Sequence, residues 1–122
     1  MPDKKILVVD DEPNVLRTLT FVLRKEGYEV SSAGDGEEAM AKVRESKPNL
    51  MFLDVMMPKK NGYEVCQELK SNSSLSDIHV VMLSAKGQEA DKERALNLGA
   101  DEFITKPFSP MEVVEKVKKL LG

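Results

Sequence analysis

Cysteine and histidine are almost absent from this chain, with one of each, Cys66 and His79, among 122 residues. One cysteine closes no internal disulfide and builds no cysteine-based zinc site. One histidine leaves too few nitrogen and sulfur ligands for a zinc hydrolase. Long apolar runs are missing too. No stretch approaches the roughly 20 residues of a membrane span. The opening Met-Pro-Asp-Lys-Lys lacks the apolar segment of a signal peptide. Excess charge is small: 18 basic against 21 acidic residues give −3, so nothing global favours nucleic acid or an anionic membrane. The expectation from these absences is a cytoplasmic protein with no direct nucleic-acid or membrane partner.

What is present suits a folded soluble domain. Hydrophobic residues make up 41% and charged residues 32%, which separates the chain from disordered ones. The length fits one core, so residues 1–122 are read as a single domain.

Two kinds of segment alternate. Short apolar runs at Ile6–Val9, Leu50–Leu53 and Val80–Leu83, with weaker ones at Glu29–Ser32 and Glu102–Thr105, read as strands. The three strong runs are apolar on consecutive positions, which suits parallel strands covered on both faces. Between them lie helical stripes. The first is Val15, Leu16, Leu19, Val22 and Leu23, stopped by Gly27; the second is Ala39, Met40 and Val43, opened by Asp35 and Glu38 in capping-box spacing. Tyr63, Val65, Cys66 and Leu69 make a third. A fourth, about Glu89 to Leu98 and ended by Gly99, has only Ala90, Ala95, Leu96 and Leu98 as apolar positions. Ser109-Pro110-Met111-Glu112 opens the last helix with a capping box and proline at its first position, and Val113, Val114, Val117, Leu120 and Leu121 form its buried face. Five strand–helix units predict an α/β sandwich around a five-stranded parallel sheet, helices on both faces, in the flavodoxin-like order 2-1-3-4-5.

In such sheets ligands bind beyond the carboxyl ends of the strands. Asp10, Asp11 and Glu12 follow the first run, Asp54 the third, Ser84 the fourth and Lys106 the fifth. Taken singly, each has a blander reading. The acidic triplet suits a solvated turn, Asp54 a turn cap, Lys106 an ordinary surface lysine, and Ser84 a local backbone bond. Jointly they are the inventory of metal-assisted phosphoryl transfer: carboxylates for Mg²⁺, a lysine for phosphoryl oxygens and a hydroxyl donor.

These residues also resemble a known family. Ile6-Leu7-Val8-Val9-Asp10-Asp11-Glu12, Leu53-Asp54-Val55-Met56-Met57-Pro58 with Gly62 beyond, Leu83-Ser84-Ala85, Gly99-Ala100-Asp101 and Thr105-Lys106-Pro107-Phe108 look like the motifs of response-regulator receiver domains, in order, from Lys5 to the last helix. The resemblance implies a two-component phosphoacceptor that takes a phosphoryl group from a sensor histidine kinase. Asp54 is the implied nucleophile, and Asp11, Asp10 (mainly through water), Asp54 and the Met56 carbonyl the implied Mg²⁺ site. Lys106 is implied to pair with a phosphoryl oxygen, ahead of a cis bond to Pro107. Ser84 is implied to hydrogen-bond the phosphoryl group, with Phe103 as switch aromatic. Met56 and Lys86 are the implied flanking positions that govern water access. The fourth helix, fifth strand and fifth helix are the implied output face toward an effector. Ser84 stands where threonine is common and Phe103 where tyrosine is common. Such a domain is not an enzyme toward other substrates; it catalyses only its own phosphorylation and dephosphorylation.

Other functions remain open at this point. An aspartyl phosphatase needs a second carboxylate two residues after its nucleophile, and Met56 stands there. A flavodoxin-like cofactor binder needs a hydroxyl- and glycine-rich phosphate loop after the first strand, where this chain has acids. A pseudo-receiver that binds partners without phosphorylation would not need the full acidic set. Tyr63, Cys66, Met51, Met56 and Met57 are expected to pack. Phe103 has a plain-core reading. His79 is expected to be structural, and Lys59 and Lys60 a solvated loop.

Overall fold

A computed structural model describes residues 4–57, 59–85 and 89–121. The elements alternate as predicted: β1 (Lys5–Val9), α1 (Pro13–Lys25), β2 (Glu29–Ala33), α2 (Gly36–Glu45), β3 (Leu50–Asp54), α3 (Gly62–Ser71), β4 (His79–Ala85), α4 (Glu89–Asn97), β5 (Glu102–Lys106) and α5 (Pro110–Leu121). The strands form one sheet in the order β2-β1-β3-β4-β5, and all four pairings are parallel.

Strand alternation divides the core into two layers. Leu7, Val9, Met51, Leu53, Val80 and Met82 face one side and meet Ala39, Met40 and Val43 of α2, Val65, Cys66 and Leu69 of α3, and Ala95 of α4. Ile6, Val8, Leu50, Phe52, Val81 and Leu83 face the other and meet Leu19 and Leu23 of α1 with Val113, Val114 and Val117 of α5. The consecutive apolar runs of β1, β3 and β4 follow from this double coverage.

Local signals set the helix ends. Asp35 accepts from Glu38 N at 2.8 Å, but the Glu38 side chain takes Gly34 N rather than Asp35 N, so the expected box is displaced by one residue. A complete reciprocal box sits at Asn61 and Glu64, which spacing alone had not singled out. Ser109 Oγ accepts from Glu112 N at 3.1 Å. Gly27 and Gly99 hold φ of 97° and 102° after α1 and α4, where a side chain would be strained. Two packing expectations are corrected. Met56 is 73% exposed, whereas Met51 is buried. Lys60 is half-buried and ion-paired with Glu68, not free in solvent. Tyr63 and Cys66 pack as expected, and His79 is the half-buried first residue of β4.

Candidate phosphoryl and metal site

The parallel sheet brings the carboxyl ends of β1, β3, β4 and β5 to one rim. Asp10 immediately follows β1, Asp54 ends β3, Ser84 is the penultimate residue of β4, and Lys106 ends β5. Register fixes their level: Asp54 lies opposite Leu83, Ser84 opposite Thr105, and Ala85 opposite Lys106. Carboxylate oxygens of Asp10, Asp11 and Asp54 lie within 4.8 Å of one another.

Burial differs sharply across this trio. Asp10 is fully buried, Asp54 is 6% exposed and Asp11 is exposed. Burial pushes the Asp54 carboxyl up to about 7, the charges of Asp10 and Asp11 add to the shift, and Lys106 opposes it. Burial also raises Asp10, against Lys106 and the Glu12 amide. Desolvation is thus the larger cause of the Asp54 shift, ahead of like-charge crowding.

Lys106 Nζ lies 2.8 Å from Asp10 Oδ2, 3.0 Å from Glu12 Oε1 and 3.5 Å from Asp54 Oδ1. Burial works against the ammonium, but Asp10 and Glu12 outweigh it and raise the Lys106 pKa. The peptide bond from Lys106 to Pro107 is cis, as the motif implied. Glu12 is the residue that sequence reasoning placed at the rim without a role. It is the N-cap of α1 without a side-chain capping bond, which leaves its carboxylate for Lys106. Ser84 is buried at the rim, and Phe103 is half-buried against the core layer of α2, α3 and α4. The implied flanking residue Lys86 lies outside the described residues.

The donor set fits a hard divalent cation. Asp10 Oδ2 is completely buried, and its contact with Lys106 is an ion pair without an aligned hydrogen bond. Exposed Asp11 and buried Asp54 supply further carboxylate oxygens at coordinating separation, and among the described residues Lys106 is the ammonium paired with this cluster. Oxygen-only donors suit Mg²⁺.

Residues 6–118 match the response regulator receiver domain family. This chain belongs to that family. The receiver is 50% identical over 119 residues to the alkaline phosphatase synthesis transcriptional regulatory protein PhoP of Bacillus subtilis, covering 98% of this chain and 49% of that protein. It is 43% identical over 118 residues to the DNA-binding response regulator MtrA of Mycolicibacterium smegmatis, covering 97% and 50%. The chain therefore spans about half the length of the curated relatives it matches. Among solved structures, the signal receiver domain of a signal transduction histidine kinase from Syntrophus aciditrophicus is similar with a TM-score of 0.90 and 36% identity, covering 97% of this chain and 89% of that one. The flavodoxin-like order matches the receiver fold.

Proposed function

We propose that this receiver domain accepts a phosphoryl group on Asp54 in a Mg²⁺-dependent reaction, with a sensor histidine kinase as donor. The observation that carries the reading is the convergence of three aspartates and Lys106 at the carboxyl end of the sheet.

Asp54 must be ionised to attack phosphorus. Its carboxyl near 7 leaves it only partly ionised at neutral pH without a cation. Asp10, Asp11, Asp54 and the Met56 carbonyl would hold Mg²⁺. Bound there, the ion supplies positive charge against the carboxylates and the phosphoryl oxygens. An Asp54 oxygen forms the new O–P bond as the bond from phosphorus to the donor breaks. Lys106, already 3.5 Å from Asp54 Oδ1, neutralises a phosphoryl oxygen, and the Ser84 hydroxyl donates to another. Lys106 must loosen from Glu12 or share its donors to do so. The groove between α1 and the β5–α5 loop, lined by Val15, Thr18, Pro107 and Phe108, leads to Lys106 and suits approach of a protein donor.

The domain is no phosphatase of other substrates, because Met56 offers no acid for a leaving group. Its output goes through α4, β5 and α5 to an effector by protein contact, in the cytoplasm. Among the described residues no helix is long and apolar enough to cross a membrane. Incubation with acetyl phosphate and Mg²⁺, followed by intact-mass spectrometry, tests the reading. One phosphoryl group is expected on wild type and none on Asp54→Asn; equal incorporation by both would sink it.

A further inference from the structure

We propose that Gly36, at the start of α2, is a positioning residue for the phosphoryl site: it forms the seat on which the tip of the β3–α3 loop rests, and so fixes the Met56 carbonyl beside Asp54. The proposal rests on the phosphoacceptor reading of Asp54.

The loop is held at its base and at its tip. At the base, Gly62 N donates to Val55 O at 3.0 Å. A Cβ at Gly62 would overlap the Asp54 carbonyl oxygen and lie 3.0 Å from Val55 Cα, so α3 can start this close to the nucleophile only on a glycine. At the tip, Lys59 holds φ of 68°, a region L side chains rarely adopt. Its Nζ lies 3.7 Å from Oδ2 of Asp35, the N-cap of α2. The next residue, Lys60, lays its backbone directly on Gly36. A Cβ there would overlap the Lys60 carbonyl oxygen and stand 2.6 Å from Lys60 Cβ and 2.8 Å from its carbonyl carbon. The Lys60 ammonium is anchored in turn by Glu68 of α3.

Met56 has little packing of its own, since its side chain is 73% exposed. Its carbonyl is therefore located by the loop's base, by the partly buried Met57, and by the tip on Gly36. Alanine at Gly36 forces backbone against backbone, where no flexible side-chain end can yield, so the tip or the first turn of α2 must move. Helix propensity predicts the opposite, because alanine is favoured over glycine inside a helix. Gly34 supplies the contrast two residues earlier: a Cβ there meets only Glu38 Oε1, at 3.7 Å.

The test is Mg²⁺ affinity by isothermal titration calorimetry, with the fold checked by far-UV circular dichroism and incorporation from acetyl phosphate followed in parallel. Gly36→Ala is expected to fold and to bind Mg²⁺ about 10- to 100-fold more weakly, the usual loss for a support behind a metal ligand. Gly34→Ala should match wild type. Wild-type affinity in a folded Gly36→Ala protein overturns the proposal. No Mg²⁺ binding by wild type or Gly34→Ala would overturn the phosphoacceptor reading and this inference with it. Should Gly36→Ala not fold, an NMR titration of the wild type with Mg²⁺ decides. The Gly36 and Lys60 amides should move with the same midpoint as that of Asp54. Silent Gly36 and Lys60 amides would refute the seat.

Discussion

Burial of Asp54 at the end of β3 raises its carboxyl to about 7, from 3.8 for an ordinary aspartate. The folded state therefore binds more protons at this residue than the unfolded chain does between those values. Stability from this group is full below the unfolded value and is lost as pH rises through the folded one. Asp54→Asn removes the titration. In urea unfolding without divalent ions, the variant is expected to exceed wild type by on the order of 2–4 kcal/mol at about pH 8, with no advantage near about pH 4. A constant difference across that range would contradict the account. Met56 makes a second expectation. Its exposed, apolar side chain cannot orient a water toward the phosphorus. Met56→Asn should release phosphate faster than wild type in a direct phosphate assay, and a faster wild type would refute it. Individual site residues were legible because each follows an apolar run that β-propensity identifies. Glu12 was not legible as the partner of Lys106, since the two stand 94 positions apart and meet only through the sheet. Gly36 was hidden for the same reason: its contact is with a loop from another unit.

Among the helices, α4 is the one with the thinnest apolar stripe. Ala95 is buried, Leu98 is half-buried and Leu96 is 45% exposed. Among the described residues, polar contacts from α3 reach α4 and the residue after it: Arg94 lies 4.0 Å over the Tyr63 ring, and Cys66 Sγ approaches Leu98 O at 3.8 Å. At the far end of β5, Asp101 Oδ2 accepts from Val80 N and pairs with Lys70, which fixes the strand's start. The rim end of β4 and β5 carries Ser84 and Lys106, the groups that would meet a phosphoryl oxygen. Phosphorylation is therefore expected to change amide hydrogen exchange mainly between Ser84 and Lys106. An unaltered pattern there would favour a partner-binding domain without a switch. Alternation and caps made all ten elements readable from sequence, α4 least clearly. Every strand outruns its apolar run, β1, β2, β3 and β5 by one residue and β4 by three, because ladder pairing with the neighbouring strands continues past the end of the run.

At the scale of the whole molecule, the sheet order 2-1-3-4-5 puts β1 and β3 side by side, and this adjacency gathers Asp10, Asp11 and Asp54. Three carboxylates at one rim destabilise the fold, and Lys106 offsets only part of that. A cation bound only by the folded arrangement adds stability by linkage. At about ten times Kd the gain is roughly 1.4 kcal/mol, or about 3–8 °C in melting temperature for a domain near this size. Thermal melts with and without millimolar Mg²⁺ should show this rise in wild type. Asp11→Ala should melt higher than wild type without metal, since Asp11 contributes to the raised pKa of Asp54, and should lose the Mg²⁺ increment. An Asp11→Ala protein that keeps the full increment would mean these carboxylates form no metal site. At every level the arrangement directs the phosphoryl group to Asp54. The most direct measurement is to phosphorylate wild type with acetyl phosphate and Mg²⁺, reduce the acyl phosphate with borohydride, and locate the modified residue by peptide mass spectrometry. One modification is expected, at Asp54, and none when Mg²⁺ is chelated; modification at another carboxylate, or at Asp54 regardless of Mg²⁺, would contradict Mg²⁺-dependent phosphorylation of Asp54.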